Sequence, residues 1–93
     1  MIIAVDYDGT LNKNGVANAG LIFNLRAAQA RGDTVILWTC REGKSLNEAL
    51  TFLIGHGLRP NYVNSNAPET IQRFKHDPRK VYADIYIDDK AGR

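Results

Sequence analysis

Apolar and polar positions alternate in blocks along the chain, and the blocks predict its elements. Ile2 to Val5 is an unbroken apolar run rich in β-branched side chains. Such a run predicts a strand buried on both faces, as in a parallel sheet. Residues 6–18 are polar and include Gly9 and Gly15, which predicts a loop. A helix follows, with Asn18 as its cap and Leu21, Ile22, Leu25 and Ala28 on one face. Gly32 suits the left-handed position that ends it. Thr34 to Trp38 predicts a second buried strand, and Thr39 to Gly43 a loop.

Ser45 and Glu48 have the spacing of a capping box, and Ala49, Leu50, Leu53 and Ile54 give the next helix an apolar face. Gly55 or Gly57 ends that helix. Asn61 to Val63 predicts a short strand. Asn66, Pro68 and Glu69 mark another helix start, with an end before Pro78. Val81 to Ile87 predicts the last strand, with Ala83, Ile85 and Ile87 on one face and Tyr82, Asp84 and Tyr86 on the other.

Strands alternating with helices predict parallel pairing with right-handed connections. The fold class is therefore α/β: an open parallel-sheet, Rossmann-like three-layer sandwich. Ligands of such sheets sit beyond the carboxyl ends of the strands. Three strands end there in polar residues: Asp6-Tyr7-Asp8-Gly9-Thr10, Thr39-Cys40-Arg41 and Asp88-Asp89-Lys90.

Composition narrows the function classes. The chain has 93 residues, one domain's worth, with 44% hydrophobic and 24% charged residues and a net charge of +2. Lys and Arg are dispersed, which argues against a nucleic-acid or membrane footprint. One cysteine, Cys40, allows no internal disulfide and fits a reducing, cytoplasmic compartment. The apolar start meets Asp6 too early for a signal peptide or a span.

Asp6, Asp8, Asp88 and Asp89 crowded at one crevice repel one another unless a cation neutralises them. Oxygen donors without histidine favour a hard ion, Mg2+ first. A hydroxyl and a guanidinium beside that ion suit an anion, above all phosphate.

The run Ile2-Ile3-Ala4-Val5-Asp6-Tyr7-Asp8-Gly9-Thr10-Leu11 resembles the first motif of the haloacid dehalogenase superfamily. Val35 to Thr39 resembles its second motif and Ile85 to Asp89 its fourth. The resemblance implies a small capless phosphatase. In it, Asp6 attacks phosphorus, and Asp8 protonates the leaving oxygen and then activates water. It implies that the Asp6 carboxylate, the Asp8 carbonyl and Asp88 hold Mg2+, with Asp89 as a further ligand. It also implies that Gly9, Thr10 and Thr39 belong to the phosphate-binding set.

The family also places a Lys near the phosphate, and Lys80 is the nearest match in sequence. If residues 81–87 form one strand, its seven extended residues separate Lys80 from Asp88 by roughly 23 Å. That geometry favours Arg41, then Lys90, as the phosphate's cation.

The motifs lie close together, so no cap domain is expected over the site. Few residues follow Asp89, so the domain reads as minimal or C-terminally truncated, and a homo-oligomer is the expected cover for its open surface. The substrate is a small phosphorylated molecule of unspecified class. The alternative function is a catalytically silent haloacid-dehalogenase-like module, or a receiver-like one, that binds phosphate or a phosphorylated partner. A receiver's acceptor Asp should follow the third strand, where Asn64-Ser65-Asn66 stands instead.

Plainer roles exist for each residue. Asp6 and Asp8 suit loop caps, Thr39 a turn, Asp88-Asp89 a solvated end, and Cys40 an inert, partly buried thiol. Trp38 and Tyr86 suit packing, and His56 and His76 need no chemistry.

Overall fold

β1 (Ile2–Asp6) is a central strand of a four-stranded sheet. It pairs in parallel with β4 (Thr34–Trp38) on one side and β6 (Ile85–Ile87) on the other. β5 (Tyr62–Val63) adds to the far side of β4, so the order is β5-β4-β1-β6. The helices are α1 (Ala19–Ala30), α2 (Gly43–Gly55) and α3 (Pro68–Phe74). The computed structural model describes residues 1–74 and 81–88, apart from the side chains of Glu69, Arg73 and Phe74.

The alternation of each strand divides the core in two. Ile3, Val5, Val35 and Leu37 face Ile22, Leu25 and Ala28 of α1 and Ala49 and Leu53 of α2 in the larger cluster. Ala4 and Ile36 point the other way and are covered by Val81. The connections from β1 to β4 and from β4 to β5 step one way across the sheet. The third steps back past both strands, so a right-handed path carries α3 over the opposite face. Asn66, just before α3, accepts a hydrogen bond from the Tyr82 amide at 2.6 Å, beside the residue that covers that face. The architecture is thus an α/β sheet flanked by helices, of the Rossmann-like kind. Its topological switch point, where ligands bind in open sheets, falls between β1 and β6.

The pattern located α1 and β4 correctly, and Asn18 caps α1 by accepting from the Leu21 amide at 3.3 Å. Four expectations need correction. First, residues 6–18 are not a plain loop. They contain a hairpin of β2 (Asn12–Lys13) and β3 (Val16–Ala17), closed at Asn14 and Gly15. Both turn residues have positive φ, 54° and 85°, as a two-residue type I′ turn requires.

Second, α2 begins at Gly43, with Glu42 as an N-cap that makes no side-chain cap bond. Ser45 lies inside the first turn, so the capping box does not form. Its carbonyl and Oγ accept instead from Arg41 Nη1, at 3.2 and 3.3 Å.

Third, the last strand is only Ile85–Ile87. Before it the chain folds over the sheet: Val81 is buried, and its carbonyl accepts from the Tyr86 hydroxyl at 2.6 Å. Two residues five positions apart on one extended strand stand roughly 17 Å from each other, beyond a tyrosine's reach. The even spacing of 83, 85 and 87 therefore does not mark a common face. Ala83 packs with the Ala4 cluster and Ile87 with the opposite one. Asp84 locks the bend, with its amide donating to the Ile2 carbonyl and its carboxylate accepting from the Ile2 amide.

Fourth, Cys40 is exposed rather than partly buried. β6 is an edge strand, and Ile85 and Tyr86 on it are exposed. Among the described residues, no helix is long and apolar enough to cross a membrane.

Candidate active site

Asp6 ends β1 opposite Trp38 in the register with β4. On the other side Val5 pairs with Ile87, so one further step sets Asp88 beside Asp6 across the switch point. Thr39 follows Trp38 and lies one step beyond Asp6 in the same direction. Parallel pairing alone thus gathers Asp6, Asp8, Thr39 and Asp88 at one end of the sheet.

The turn after β1 is tightly built. The Tyr7 carbonyl accepts from the amides of Thr10, Leu11 and Asn12. Gly9, at φ 81°, takes the left-handed conformation this reversal needs and donates its amide to the Asn12 carbonyl at 2.9 Å. Thr10 is buried below the turn, and its Oγ1 has no partner among the described residues. It does not belong to the lining of the cleft above.

Asp8 is exposed to solvent and held by Arg41. Nε donates to Oδ2 at 3.0 Å and Nη2 to Oδ1 at 2.8 Å, a two-pronged ion pair. Hydrogen bonding from Arg41 holds the Asp8 carboxyl below its ordinary range, outweighing slight desolvation in the other direction. The same pairing raises Arg41. The guanidinium is fixed on further sides by Ser45 and by the Tyr7 ring, whose centroid lies 4.8 Å from its carbon.

Tyr7 therefore braces two walls at once. Its ring carries Arg41 and meets Phe52 edge-on at 6.0 Å, and its hydroxyl accepts from Asn12 Nδ2 at 2.9 Å, tying the hairpin to the core. Between these walls lies a cleft of about 480 Å3, lined by Asp8, Gly9, residues 12–15 and Arg41. Nothing in the local sequence pattern gives Tyr7, Asn12 or Lys13 a role. The one legible signal was Asn14-Gly15, a hairpin turn that carries the second wall.

Thr39 is oriented by the loops around it. Its amide donates to Asn64 Oδ1 at 2.7 Å, and its Oγ1 accepts from the Arg41 amide at 3.1 Å. A hydroxyl that accepts this bond keeps its own proton for an anion.

Lys80, Asp89 and Lys90 lie outside the described residues, as does His76. The bend at residues 81–84 removes the seven-residue extended span expected between Lys80 and Asp88. Among the described residues, no group of three or more His, Cys, Asp or Glu side chains converges as a ligand set. Asp8 contributes no carboxylate to such a set because Arg41 holds it. The Asp6 carboxylate, Asp88 just past the end of β6 and main-chain carbonyls are all oxygen donors, the chemistry that fits a hard cation.

No family model matches the chain, and no curated protein matches it. A solved structure of a conserved protein from Bacteroides thetaiotaomicron is similar to it throughout. The TM-score is 0.81 and the sequence identity 36%, covering 97% of this chain and 76% of the other. Likeness at that identity over nearly the whole length shows a common family, and this chain belongs to the same family as that conserved Bacteroides thetaiotaomicron protein.

Proposed function

We propose that this chain is a Mg2+-dependent phosphomonoester hydrolase of the haloacid dehalogenase type, with Asp6 as nucleophile. The observation that carries the reading is the pairing of β1 with β6, which sets Asp6 beside Asp88 at the switch point of a parallel sheet. A carboxylate there attacks phosphorus in line with the leaving oxygen, giving an aspartyl-phosphate and releasing the alcohol. Asp8, two residues on, supplies the proton to that oxygen. It then takes one from the water that attacks phosphorus, freeing inorganic phosphate and restoring Asp6.

The Asp6 carboxylate, the Asp8 carbonyl and Asp88 would hold Mg2+, which would supply positive charge beside the phosphoryl oxygens. The Thr39 hydroxyl donates to one of those oxygens. Asp8 as it stands is an anion gripped by Arg41, which is the form that activates water. Proton delivery in the first half requires that grip to loosen.

A second reading, a phosphate-binding module without turnover, draws support from the same grip, which withholds the acid. One experiment separates the two. With Mg2+ present, the wild type hydrolyses a panel of phosphate monoesters and Asp6→Asn does not, while without Mg2+ the two have the same Tm. Mg2+ and phosphate binding without turnover by the wild type selects the second reading, and equal turnover by Asp6→Asn removes the first.

A further inference from the structure

The cleft beside Asp8 has a composition that says what belongs in it. It opens on the residue assigned to the leaving oxygen, so the part of the substrate beyond that oxygen lies here. This inference rests on the roles of Asp6 and Asp8 proposed above. Every residue lining the cleft is glycine, an amide or a charged side chain, so nothing in it favours an apolar or aromatic leaving group.

The charges do not cancel. Asp8 and Arg41 neutralise each other through their two-pronged pair. Lys13 makes no ion pair among the described residues, and it leaves the cleft with a net positive charge. A cleft with walls of low dielectric focuses such a field on its contents.

Lys13 also stands on a fixed support. It occupies a ladder position of the hairpin, paired with Val16. The turn beside it is closed by the Gly15 amide donating to Asn12 Oδ1 at 2.7 Å. Asn12 is in turn tied to the buried Tyr7. A solvated turn lysine needs none of this; a lysine that selects among ligands gains from it, because its backbone needs no further ordering on binding.

We propose that the leaving group of the substrate carries a second anionic group, a carboxylate or a further phosphate, which Lys13 holds at the rim of the cleft. Lys13 is then a specificity residue.

Glycerol 3-phosphate, 3-phosphoglycerate and glycerol 1,3-bisphosphate all offer a primary phosphate ester and differ in the charge of the leaving group; the bisphosphate offers two such esters, so its rate is compared per ester. At low ionic strength, the wild type should favour the two charged esters over glycerol 3-phosphate by about fivefold in kcat/KM. That is the scale of one solvent-accessible ion pair, and it should be carried mainly by KM. Lys13→Gln should bring the ratio to about one and Lys13→Glu should invert it, while added salt moves the ratio toward one in the wild type and Lys13→Glu but not in Lys13→Gln. Preference for one charged ester alone identifies which anion the site takes.

A wild-type ratio near one, or a ratio that Lys13→Glu leaves unchanged, overturns the proposal. If that happens while turnover still depends on Asp6, only the specificity assignment falls. If Asp6→Asn turns over all three esters like the wild type, or none is hydrolysed with Mg2+ present, the hydrolase reading falls and this one with it.

Discussion

Arg41 grips Asp8 across the end of the sheet, with Nη2 2.8 Å from Oδ1 and Nε 3.0 Å from Oδ2. The pair joins the loop after β4 to the turn after β1, although the residues are 33 positions apart in the chain. It gives Arg41 a partner inside the protein, where the sequence alone points to phosphate. Both roles are compatible only if an incoming anion competes with Asp8 for the guanidinium.

That competition makes the first prediction. Arg41→Ala should lower kcat/KM by about a hundredfold, the scale of losing one preorganised charged contact in phosphoryl transfer. Arg41→Lys should recover little of it, because an ammonium cannot span two oxygens. Lys80→Ala belongs in the same series, since the bend at residues 81–84 removes the reason to expect a mild effect. A near-normal Arg41→Ala beside a crippled Lys80→Ala would assign the phosphate's cation to Lys80 and leave Arg41 as a surface partner of Asp8.

The second concerns the metal. Mg2+ that binds the folded chain alone stabilises it by RT ln(1 + [Mg2+]/Kd), about 2.7 kcal/mol at a hundredfold excess over Kd. Thermal melts should rise on adding millimolar Mg2+. Asp88→Asn should remove most of that rise, because it deletes one of the two carboxylates set side by side by the β1–β6 register. An equal rise in wild type and Asp88→Asn would place the ion elsewhere.

The third concerns Tyr7. Tyr7→Phe keeps the ring beneath Arg41 and against Phe52 but deprives Asn12 Nδ2 of its acceptor. The loss should cost about 1 kcal/mol in urea unfolding, the usual worth of a single hydrogen bond. The hairpin amides should exchange faster through their own local opening. Hairpin amides that exchange as in the wild type would show that the hydroxyl does not tie the hairpin down.

The sequence by itself determined the parts of this protein whose signals are local. Ile2 to Val5 and Thr34 to Trp38 are apolar runs long enough to be buried on both faces, and each is a central strand. Asn18 caps α1 through atoms three residues apart, which the chain carries in its own order. Parallel pairing then implies that Asp6, Thr39 and Asp88 come to one end of the sheet, with no side-chain geometry needed.

The hairpin was half legible. Asn14-Gly15 marks its turn, but strands of two residues each are too short for alternation to register. Only the tertiary structure decided the rest, because long-range partners set it. Arg41 turns to Asp8 since a carboxylate at the right distance outcompetes water for a planar, two-pronged donor. Residues 81–84 leave the strand that their alternation suggests. Val81 is buried over Ala4 and Ile36 instead, and Asn66 and Tyr86 satisfy the backbone groups that a longer ladder would have paired. Alternation records which residues are apolar; which face they cover depends on where the neighbouring strand ends, and β6 pairs with β1 only from Ile85 to Ile87.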